Sequence, residues 1–317
     1  MSRIGDRGEM EAFVRSVETG SFSVAARELK LTPSALSKLV TRLERALKVR
    51  LVTRSTRHIA PTPEGELFVA RCRRILAEIE DAETEVGRSR DRPRGKLRMH
   101  MGVGFGISQG VKALPRFFEL YPDVELDLVI EDRRVNLLHE NIDISTWSFL
   151  PEGSNLVARK MFDYQRVLCA SPEYLGRYGT PRTPDDLARH RCMVVSSVPM
   201  QSPWIFETAQ GRRVFDVVPS FSVNNADCKY RFTLSGMGIA QFSEYVVADA
   251  LRDGRLVRVL GDCHRSDTLT QYVVYPQERH RLPRVAAMVD HLVATFASRP
   301  WRSADANRKR PALARVK

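Results

Sequence analysis

The sequence predicts an α/β protein with a small helical head, a connecting helix and a larger body in which strands and helices alternate. Apolar residues recur at helical spacing through the first fifty residues, and two short β-prone runs follow them. From residue 97 onward, strand-type runs alternate with helix-type runs, which indicates a parallel sheet covered by helices. A chain of 317 residues is also too long for one average domain.

The composition is that of a chain that buries ordinary hydrophobic cores, with 43% hydrophobic and 28% charged residues. No apolar run approaches the roughly eighteen residues of a membrane span, and the N-terminus lacks the apolar core of an export signal. The five cysteines are widely spaced and form no CxxC pair. This pattern argues against a disulfide framework and a zinc site, and it predicts a cytoplasmic protein without membrane contact, metal or cofactor.

The net charge of +12 is concentrated at the two ends of the chain. Residues 1–95 carry 19 Lys and Arg against 14 Asp and Glu, and residues 299–317 carry seven against one. The middle of the chain is close to neutral. A basic head suits a polyanion partner, although a charge surplus that only favours solubility is an equally simple interpretation.

Two helices are predicted before residue 31. The first places apolar residues on one face and ends at Gly20: Met10, Phe13, Val14 and Val17. The second runs from Val24 to Lys30, with Ser21 or Ser23 as its N-cap.

A third helix is predicted from Pro33 to about Leu47, with Thr32 as its N-cap and Pro33 at its first position. One face forms an apolar stripe: Leu36, Val40, Leu43 and Leu47. The other face carries short hydroxyl side chains first and cations further along: Ser34, Ser37, Lys38, Thr41, Arg42 and Arg45. A helix in the DNA major groove needs small groups at base edges and cations at phosphates, but a solvated amphipathic helix fits this helix equally well.

The two β-prone runs after this helix, residues 50–54 and 57–60, are predicted to form a small hairpin. Its cations Arg54 and Arg57 would contact the phosphate backbone beside the groove. Such contacts fix position and carry no sequence information.

The stretch from Phe13 to Phe68 resembles the N-terminal domain of LysR-type transcriptional regulators. The matching elements are Phe13, Gly20-Ser21-Phe22, Ala25-Ala26, Leu29, Ser34-Ala35-Leu36-Ser37, Leu43-Glu44, Leu47, Leu51, Arg54 and Thr62-Pro63-Glu64-Gly65. Lys48 stands where the family usually has a helix-ending glycine, and Val52 replaces an aromatic residue.

The resemblance implies a winged helix-turn-helix over residues 1–65 that binds double-stranded operator DNA. The expected DNA-binding residues are Thr32, Pro33, Ser34, Ser37, Lys38, Thr41, Arg42, Arg54 and Arg57.

A connecting helix and hinge are predicted over residues 66–92. Apolar residues in a 4-3-4-3-4 spacing form a coiled-coil seam: Phe68, Cys72, Ile75, Ile79, Ala82 and Val86. The stripe is short, so packing on its own domain is an alternative. The resemblance favours pairing into a homodimer or homotetramer, which would present two heads about 34 Å apart, one turn of DNA.

The body is predicted to begin with the following elements: strand 97–103, helix 110–120, strand 124–130, short helix 135–140 and strand 142–146. Ligands of such sheets bind beyond the carboxyl ends of the strands. Gly102, Gly104 and Gly106 lie at such an end but lack a nucleotide-binding fingerprint. A carboxylate at the following helix N-terminus and a plain tight turn both remain open.

The body resembles the effector domain of the same family. The matching segments are Leu114-Pro115-Arg116-Phe117-Phe118, Tyr121-Pro122-Asp123-Val124, Cys169-Ala170-Ser171-Pro172, Ser235-Gly236-Met237-Gly238-Ile239-Ala240 and Asp253-Gly254-Arg255-Leu256-Val257. The resemblance implies two α/β lobes like those of periplasmic binding proteins, spanning residues 93–300. Lobe I would comprise about 93–164 and 268–300 and lobe II about 165–267, with crossings near 162–167 and 269–274.

A small-molecule effector, an organic acid or an aromatic compound, would bind between the lobes, and RNA polymerase is a further expected partner. The cleft candidates are Gly104, Phe105, Gly106, Ser108, Ser196, Ser197, Asn224 and Asn225. Capping of a helix is an equally good role for Asn224 and Asn225. Trp147 suits either stacking on a planar effector or filling the core, with the core favoured.

No catalytic constellation is expected. The histidines lack a metal spacing, His139 and Glu140 fall on the predicted short helix, and no GxSxG elbow occurs. Cys263 and His264 are interpreted as solvated loop residues. An enzyme with a vestigial DNA-binding head is the rival hypothesis. Residues 301–317 are basic and polar, so a disordered tail is expected there.

Overall fold

The computed structural model describes residues 6–54, 59–86, 92–150, 155–196, 203–209, 211–215 and 217–302. It divides into two compact units, Met1–Asp91 with Leu138–Asn141, and Arg92–Leu137 with Ile142–Lys317. The first unit contains the helical head, and the second is a two-lobed α/β body. Both agree with the predicted fold class.

The head consists of four helices and one short hairpin: α1 (Arg7–Thr19), α2 (Phe22–Glu28), α3 (Pro33–Leu47), β1 (Val52–Arg54), β2 (Ile59–Pro61) and α4 (Pro63–Val86). Gly20 ends α1 in the left-handed conformation, as predicted. The predicted start of α2 is wrong by two residues. Ser21 occupies the N-cap position without a side-chain cap, so the helix begins at Phe22.

The core of the head lies between α1, α3 and the start of α4. Phe13, Leu36 and Leu43 are fully buried there, and Cys72 of α4 is buried with them. Phe68 and Ile75 also pack against this core. The first half of the predicted seam therefore packs on its own domain, which was the alternative interpretation.

Lobe I of the body is a five-stranded sheet in the order β4-β3-β5-β15-β6. Its strands are β3 (Gly95–Met101), β4 (Val124–Ile130), β5 (Ile144–Trp147), β6 (Leu156–Tyr164) and β15 (Leu269–Pro276). Strands β3, β4 and β5 are parallel, so their carboxyl ends lie at one edge. The helices of this lobe are α5 (Val103–Phe105), a π-helical turn Gly106–Gly110, α6 (Val111–Leu120) and α10 (Pro283–Ala297).

The predicted helix 110–120 of lobe I is confirmed as α6 (Val111–Leu120), but the prediction missed α5 and the π-helical turn, which extend it back to Val103 across the glycines. A Cβ on Gly106 would lie 3.1 Å from the Met101 Cβ, and one on Gly110 would lie 2.4 Å from the Met101 Sδ. The glycines therefore permit close helix packing on the strand end. Residues 135–140 form an extended stretch and a turn, not a helix, so His139 and Glu140 lie in that turn.

Lobe II has a five-stranded sheet in the order β11-β8-β12-β7-β13 and a three-stranded sheet in the order β10-β9-β14. The strands are β7 (Arg166–Ala170), β8 (Cys192–Val195), β9 (Trp204–Thr208), β10 (Gly211–Phe215), β11 (Phe221–Val223), β12 (Ile239–Ser243), β13 (Val257–Arg258) and β14 (His264–Arg265). The helices are α7 (Pro172–Tyr178), α8 (Ala226–Leu234) and α9 (Glu244–Arg252). Strands β8, β11 and β12 are parallel.

The chain crosses between the lobes twice. It leaves the lobe I sheet at Tyr164, enters the lobe II sheet at Arg166, and returns between Arg265 and Leu269. Strand β7 runs antiparallel to β12, with Arg166 opposite Ser243. Both crossings therefore lie at the same edge of the sheets as the carboxyl ends of the parallel strands.

Trp301 corrects the predicted start of the C-terminal tail. Its side chain is buried against Phe162, with ring centroids 4.6 Å apart, so it belongs to the lobe I core. The rest of the expected tail, residues 303–317, lies outside the described residues. No helix in the described part of the chain is both long and apolar enough to cross a membrane.

Candidate nucleic-acid interface and ligand cleft

Helix α3 presents two chemically different faces. Leu36, Val40 and Leu43 are fully buried in the head. The opposite side, called here the recognition face, is exposed or half-buried: Thr32, Pro33, Ser34, Ser37, Lys38, Thr41 and Arg42. The predicted DNA-facing residues of the helix therefore share one accessible surface.

The start of α3 is fixed by its own hydroxyl groups. Thr32 Oγ1 accepts a hydrogen bond from the Ala35 amide at 3.2 Å, which confirms the predicted N-cap. The Ser34 hydroxyl lies 3.1 Å from the same oxygen. One turn later, the Thr41 hydroxyl donates to the Ser37 carbonyl at 2.8 Å. Short polar groups thus lie along the part of the helix where small groups suit contact with base edges.

Arg42 is held in place by α1. Its Nε lies 3.4 Å from Oε1 of Glu9, a carboxylate that is only 5% exposed, whereas the Arg42 side chain is 68% exposed. The guanidinium is therefore anchored on one side and accessible on the other. This geometry suits a cation that contacts a fixed phosphate.

The hairpin is attached to α3 through Glu44, whose role the sequence analysis missed. Glu44 Oε1 accepts hydrogen bonds from the amides of Leu51 and Val52 at 2.9 and 3.2 Å. The sequence did contain one indication of this role, because Glu44 is an isolated acid among the cations of α3. Arg54 ends β1, but its side chain is outside the described residues, as is all of Arg57.

Two positions next to α3 depend on backbone conformation. Lys48 ends α3 in the left-handed region at φ 56°, where a glycine would be unstrained. Gly65 lies in the first turn of α4, and a Cβ there would lie 2.0 Å from the Leu51 carbonyl oxygen. This turn therefore requires glycine, because the residue that precedes β1 passes so close to it.

In the body, Asp132 joins the two lobes at the carboxyl ends of their strands. Its Oδ1 accepts a hydrogen bond from the Val103 amide of lobe I at 3.1 Å. Its Oδ2 accepts one from the Ala226 amide of lobe II at 2.7 Å. A carboxylate was one possibility at the helix that follows Gly102, and the chain supplies one itself in Asp132.

The four lobe I cleft candidates separate into two pairs. Gly104 and Ser108 line a cavity of about 240 Å³ together with residues of α8 and α9, among them Tyr230 and Asp249. Phe105 is buried in an aromatic cluster, 5.2 Å from the Phe296 ring centroid, and Gly106 is buried against Met101. The Phe105 side chain therefore packs in the core and does not face the cleft.

Two of the lobe II candidates, Asn225 and Ser196, form hydrogen bonds within their own lobe. Asn225 Oδ1 accepts hydrogen bonds from the Asp227 and Cys228 amides at 2.9 and 3.1 Å, so Asn225 caps α8. The Ser196 hydroxyl donates to the Val223 carbonyl at 3.2 Å. Asn224 is exposed beside them, and Ser197 lies outside the described residues.

A polar group of lobe II, close to the crossing at Arg166 and to Asp132, was missed entirely: Arg166, Lys229, Gln241 and His264. Lys229 Nζ donates to the Gln241 carbonyl at 2.8 Å. Arg166 Nη1 lies 3.4 Å from Gln241 Oε1, and Gln241 Nε2 lies 3.2 Å from His264 Nε2. These residues come from three strands and a helix, so no sequence spacing connects them.

His264 corrects an expectation. It pairs with Phe206 in a sheet and is 9% exposed, so it is not a solvated loop residue. Burial lowers the pKa of His264 to about 4, with a smaller contribution from Arg265. Burial also lowers the pKa of Lys229 to about 7, with Arg166 adding to this and Asp132 opposing it. The imidazole is therefore neutral at pH 7.

Trp147 lies at the carboxyl end of β5 and stacks on Phe149 at 5.0 Å between ring centroids. It is partly buried against a small apolar cluster, consistent with the favoured core role. The Arg134 guanidinium lies over the Phe149 ring, 4.9 Å from its centroid.

All five cysteines are free. Within the described residues, no group of His, Cys, Asp and Glu side chains is arranged to hold a metal ion.

Comparisons with known proteins agree on both parts of the chain. Residues 8–66 match a family model described as a bacterial regulatory helix-turn-helix protein of the lysR family. Residues 90–297 match the LysR substrate binding domain.

Individual relatives extend over nearly the full length. The chain is 33% identical over 285 residues to the HTH-type transcriptional regulator CrgA of Neisseria meningitidis serogroup C, covering 90% of this chain and 95% of that protein. It is 30% identical over 292 residues to the HTH-type transcriptional regulator DmlR of Escherichia coli, covering 91% and 94%. The solved structure of CrgA from Neisseria meningitidis matches with a TM-score of 0.62 at 32% identity, covering 91% of this chain and 98% of that one.

Proposed function

The chain belongs to the LysR-type family of transcriptional regulators, with a helix-turn-helix DNA-binding domain and an effector-binding domain, and we propose that it reads its operator through the recognition face of α3. We assign the DNA-binding domain to residues 1–65, the linker to 66–92 and the effector-binding domain to 93–300. Trp301 extends the last of these by packing on its core.

The observation that carries this proposal is the division of α3 into a buried and an accessible face. Leu36, Val40 and Leu43 of the apolar stripe are fully buried, so the recognition face is the side of the helix open to a partner. Thr32, Ser34 and Ser37 would meet base edges, where each good contact discriminates by about 1–3 kcal/mol.

Cations at the sides of this face would bind phosphates. Lys38 is exposed, and Arg42 is anchored by Glu9. Arg54 and Arg57 of the hairpin would contact the adjacent backbone. Because Glu44 ties the hairpin strand to α3, phosphate contacts by the hairpin would fix the register of the helix in the groove.

The effector would bind between the lobes at the carboxyl ends of their parallel strands. Gly104 and Ser108 line the cavity there, and Ser196 and Asn224 follow the ends of β8 and β11. Asn225 contributes as the cap of α8. An effector with different affinities for two lobe arrangements would shift the orientation of paired heads, and thereby DNA bending or contact with RNA polymerase.

Pairing through α4 into a homodimer or homotetramer is part of the proposal. Leu67 of α4 is 72% exposed, an apolar side chain available to a second copy. Two heads would then bind two half-sites one helical turn apart. We place the protein in the cytoplasm, where its DNA target lies.

The test is a footprint of the purified protein on DNA upstream of its own gene and of the neighbouring genes, with scrambled competitor at physiological salt. A protected two-fold site that survives competitor is expected. Diffuse binding that disappears with added salt would reduce the head to a nonspecific polyanion binder.

A further inference from the structure

We propose that Arg166 and Lys229, the cation pair of lobe II, form the subsite that binds a carboxylate group of the effector. The inference rests on the proposed effector function of the cleft and narrows it to small organic acids. The two residues come from β7 and α8, and they share Gln241 as a common partner.

The cation pair is held only by neutral groups. Lys229 donates to a backbone carbonyl and lies 4.7 Å from the centroid of the Phe242 ring. The Nε of Arg166 is buried and has no hydrogen-bond partner among the described residues. Its Nη1 reaches only the side-chain oxygen of Gln241, at 3.4 Å. A buried donor of a charged group without a partner is costly, and an anion would offset that cost.

Asp132 is the acid that acts electrostatically on Lys229 within the described part of the chain, and its oxygens are already hydrogen-bonded to other groups. Both oxygens of Asp132 accept backbone amides, one from each lobe. It lies near enough to oppose the lowering of the Lys229 pKa, yet neither Arg166 nor Lys229 forms a salt bridge with it among the described residues.

Two neighbouring titratable groups, Tyr245 and His264, add no charge to the cluster. Burial raises the pKa of Tyr245 far above its ordinary value, so the phenol is neutral. His264 is neutral because its pKa is lowered to about 4. With Lys229 protonated, the cluster of Arg166, Lys229 and Asp132 has an excess of one positive charge, which a single carboxylate would balance.

The position of Arg166 connects the subsite to the crossings between the lobes. Arg166 is the first residue of β7, directly after the first crossing. Its backbone amide donates to the Ser266 hydroxyl at 3.0 Å, and Ser266 lies in the second crossing. A ligand drawn to this guanidinium would therefore act where both crossing segments meet.

The test uses the full-length protein and three pairs of compounds that differ in charge: acetate and acetamide, succinate and succinamide, benzoate and benzamide. Calorimetric titration and the shift in Tm are measured at pH 6.5. At least one acid is expected to bind about tenfold or more tightly than its amide. Equal binding of every acid and its amide, or no binding by any acid, would overturn the proposal without requiring any variant.

Variants then locate the subsite. Arg166→Gln and Lys229→Gln should each weaken the acid by about tenfold or more, whereas Arg189→Gln, an exposed cation of the same lobe, should leave it unchanged. Unchanged affinity in either folded cleft variant would overturn the assignment. A specific footprint without acid selectivity rejects the subsite alone, and acid selectivity without a footprint rejects the proposed regulatory function.

Discussion

The recognition face of the head is formed by residues close together in the sequence, whereas the cleft is formed by residues far apart in it. The recognition face is formed by neighbours within ten residues of one helix, from Thr32 to Arg42. The proposed subsite takes Asp132 from the end of a lobe I strand, Arg166 from the start of β7, and Lys229 from a lobe II helix. A short local pattern therefore specifies the first surface, and chain topology assembles the second.

This difference has an energetic side as well. The polar groups of the head face solvent, where each polar interaction contributes little to the free energy of unfolding in the absence of DNA. The cleft holds cations among buried neutral partners, so its electrostatics are strong before any ligand binds. Mutations should therefore alter DNA binding by removing contacts with the partner, and effector binding by changing an existing charge balance.

The largest expected effect separates the two regions by damaging the head alone. Gly65→Ala would force a Cβ to within 2.0 Å of the Leu51 carbonyl oxygen, which should destabilise the head by about 3 kcal/mol. Denaturant unfolding should show an early transition for the head, and operator affinity should fall. Gly8→Ala on α1, where a Cβ meets nothing within 4 Å, is the matched control and should unfold no earlier than the wild type.

A comparable substitution damages the body alone. A Cβ on Gly238 would lie 2.3 Å from the Arg191 carbonyl oxygen, so Gly238→Ala should cost about 3 kcal/mol in lobe II. DNA binding by the head should persist at temperatures where the body has lost its near-UV circular dichroism. Gly176→Ala on α7, with open space around its Cβ, should leave lobe II at least as stable as in the wild type. Simultaneous loss of both activities would show that the regions are not independent.

How far the sequence predicts each region follows from the same comparison. The bounds of α3, the Thr32 cap and the Gly20 terminus were predicted correctly because each depends on residues a few positions away. The helix start after Gly102 was missed because it depends on how closely Met101 approaches from the strand. The burial of His264 depends on pairing with β9, some sixty residues earlier in the chain.

The cleft chemistry was out of reach for the same physical reason. Asp132 and Ala226 are joined by a hydrogen bond across ninety-four positions, and only the approach of the two lobes brings them together. Gly104 and Ser108 were placed at the cavity because the end of a parallel strand is a general location for ligands. Phe105, between them, faces the other way because consecutive helical positions point in different directions.

The affinity of the cleft for an acid should depend on pH, because Lys229 titrates near neutral pH. The pKa of Lys229 is lowered to about 7, and the charged groups that act on it electrostatically are Arg166 and Asp132. A bound carboxylate favours the ammonium form, so binding above pH 7 must take up a proton. Affinity should be highest below pH 7 and fall by up to about tenfold per unit above it.

Calorimetric titrations at pH 6, 7, 8 and 9, with the acid that binds more tightly than its amide, measure the change of affinity with pH. Lys229→Met should bind weakly and without this change. A wild-type affinity that stays constant from pH 6 to 9 would show that the ammonium takes no part in binding.

The smallest expected effect lies at the end of α3. Lys48 adopts the left-handed conformation, so Lys48→Gly should relieve strain and stabilise the head by about 1 kcal/mol, offset in part by the greater freedom of glycine in the unfolded chain. Thermal unfolding measures the change. Lys38→Gly, in the middle of the same helix, provides the opposite control and should destabilise the head by about 1 kcal/mol.

The central claim is that α3 specifies DNA through its hydroxyl groups and holds it through its cations. The most direct test measures the affinities of wild type, Ser37→Ala and Lys38→Ala for an operator and a scrambled duplex over a range of salt concentrations, with Arg74→Ala on α4 as control. Ser37→Ala should lose about 1–3 kcal/mol for the operator only, whereas Lys38→Ala should weaken both duplexes and reduce the salt slope by about one. If both variants bind both duplexes like the wild type, α3 is not the recognition helix.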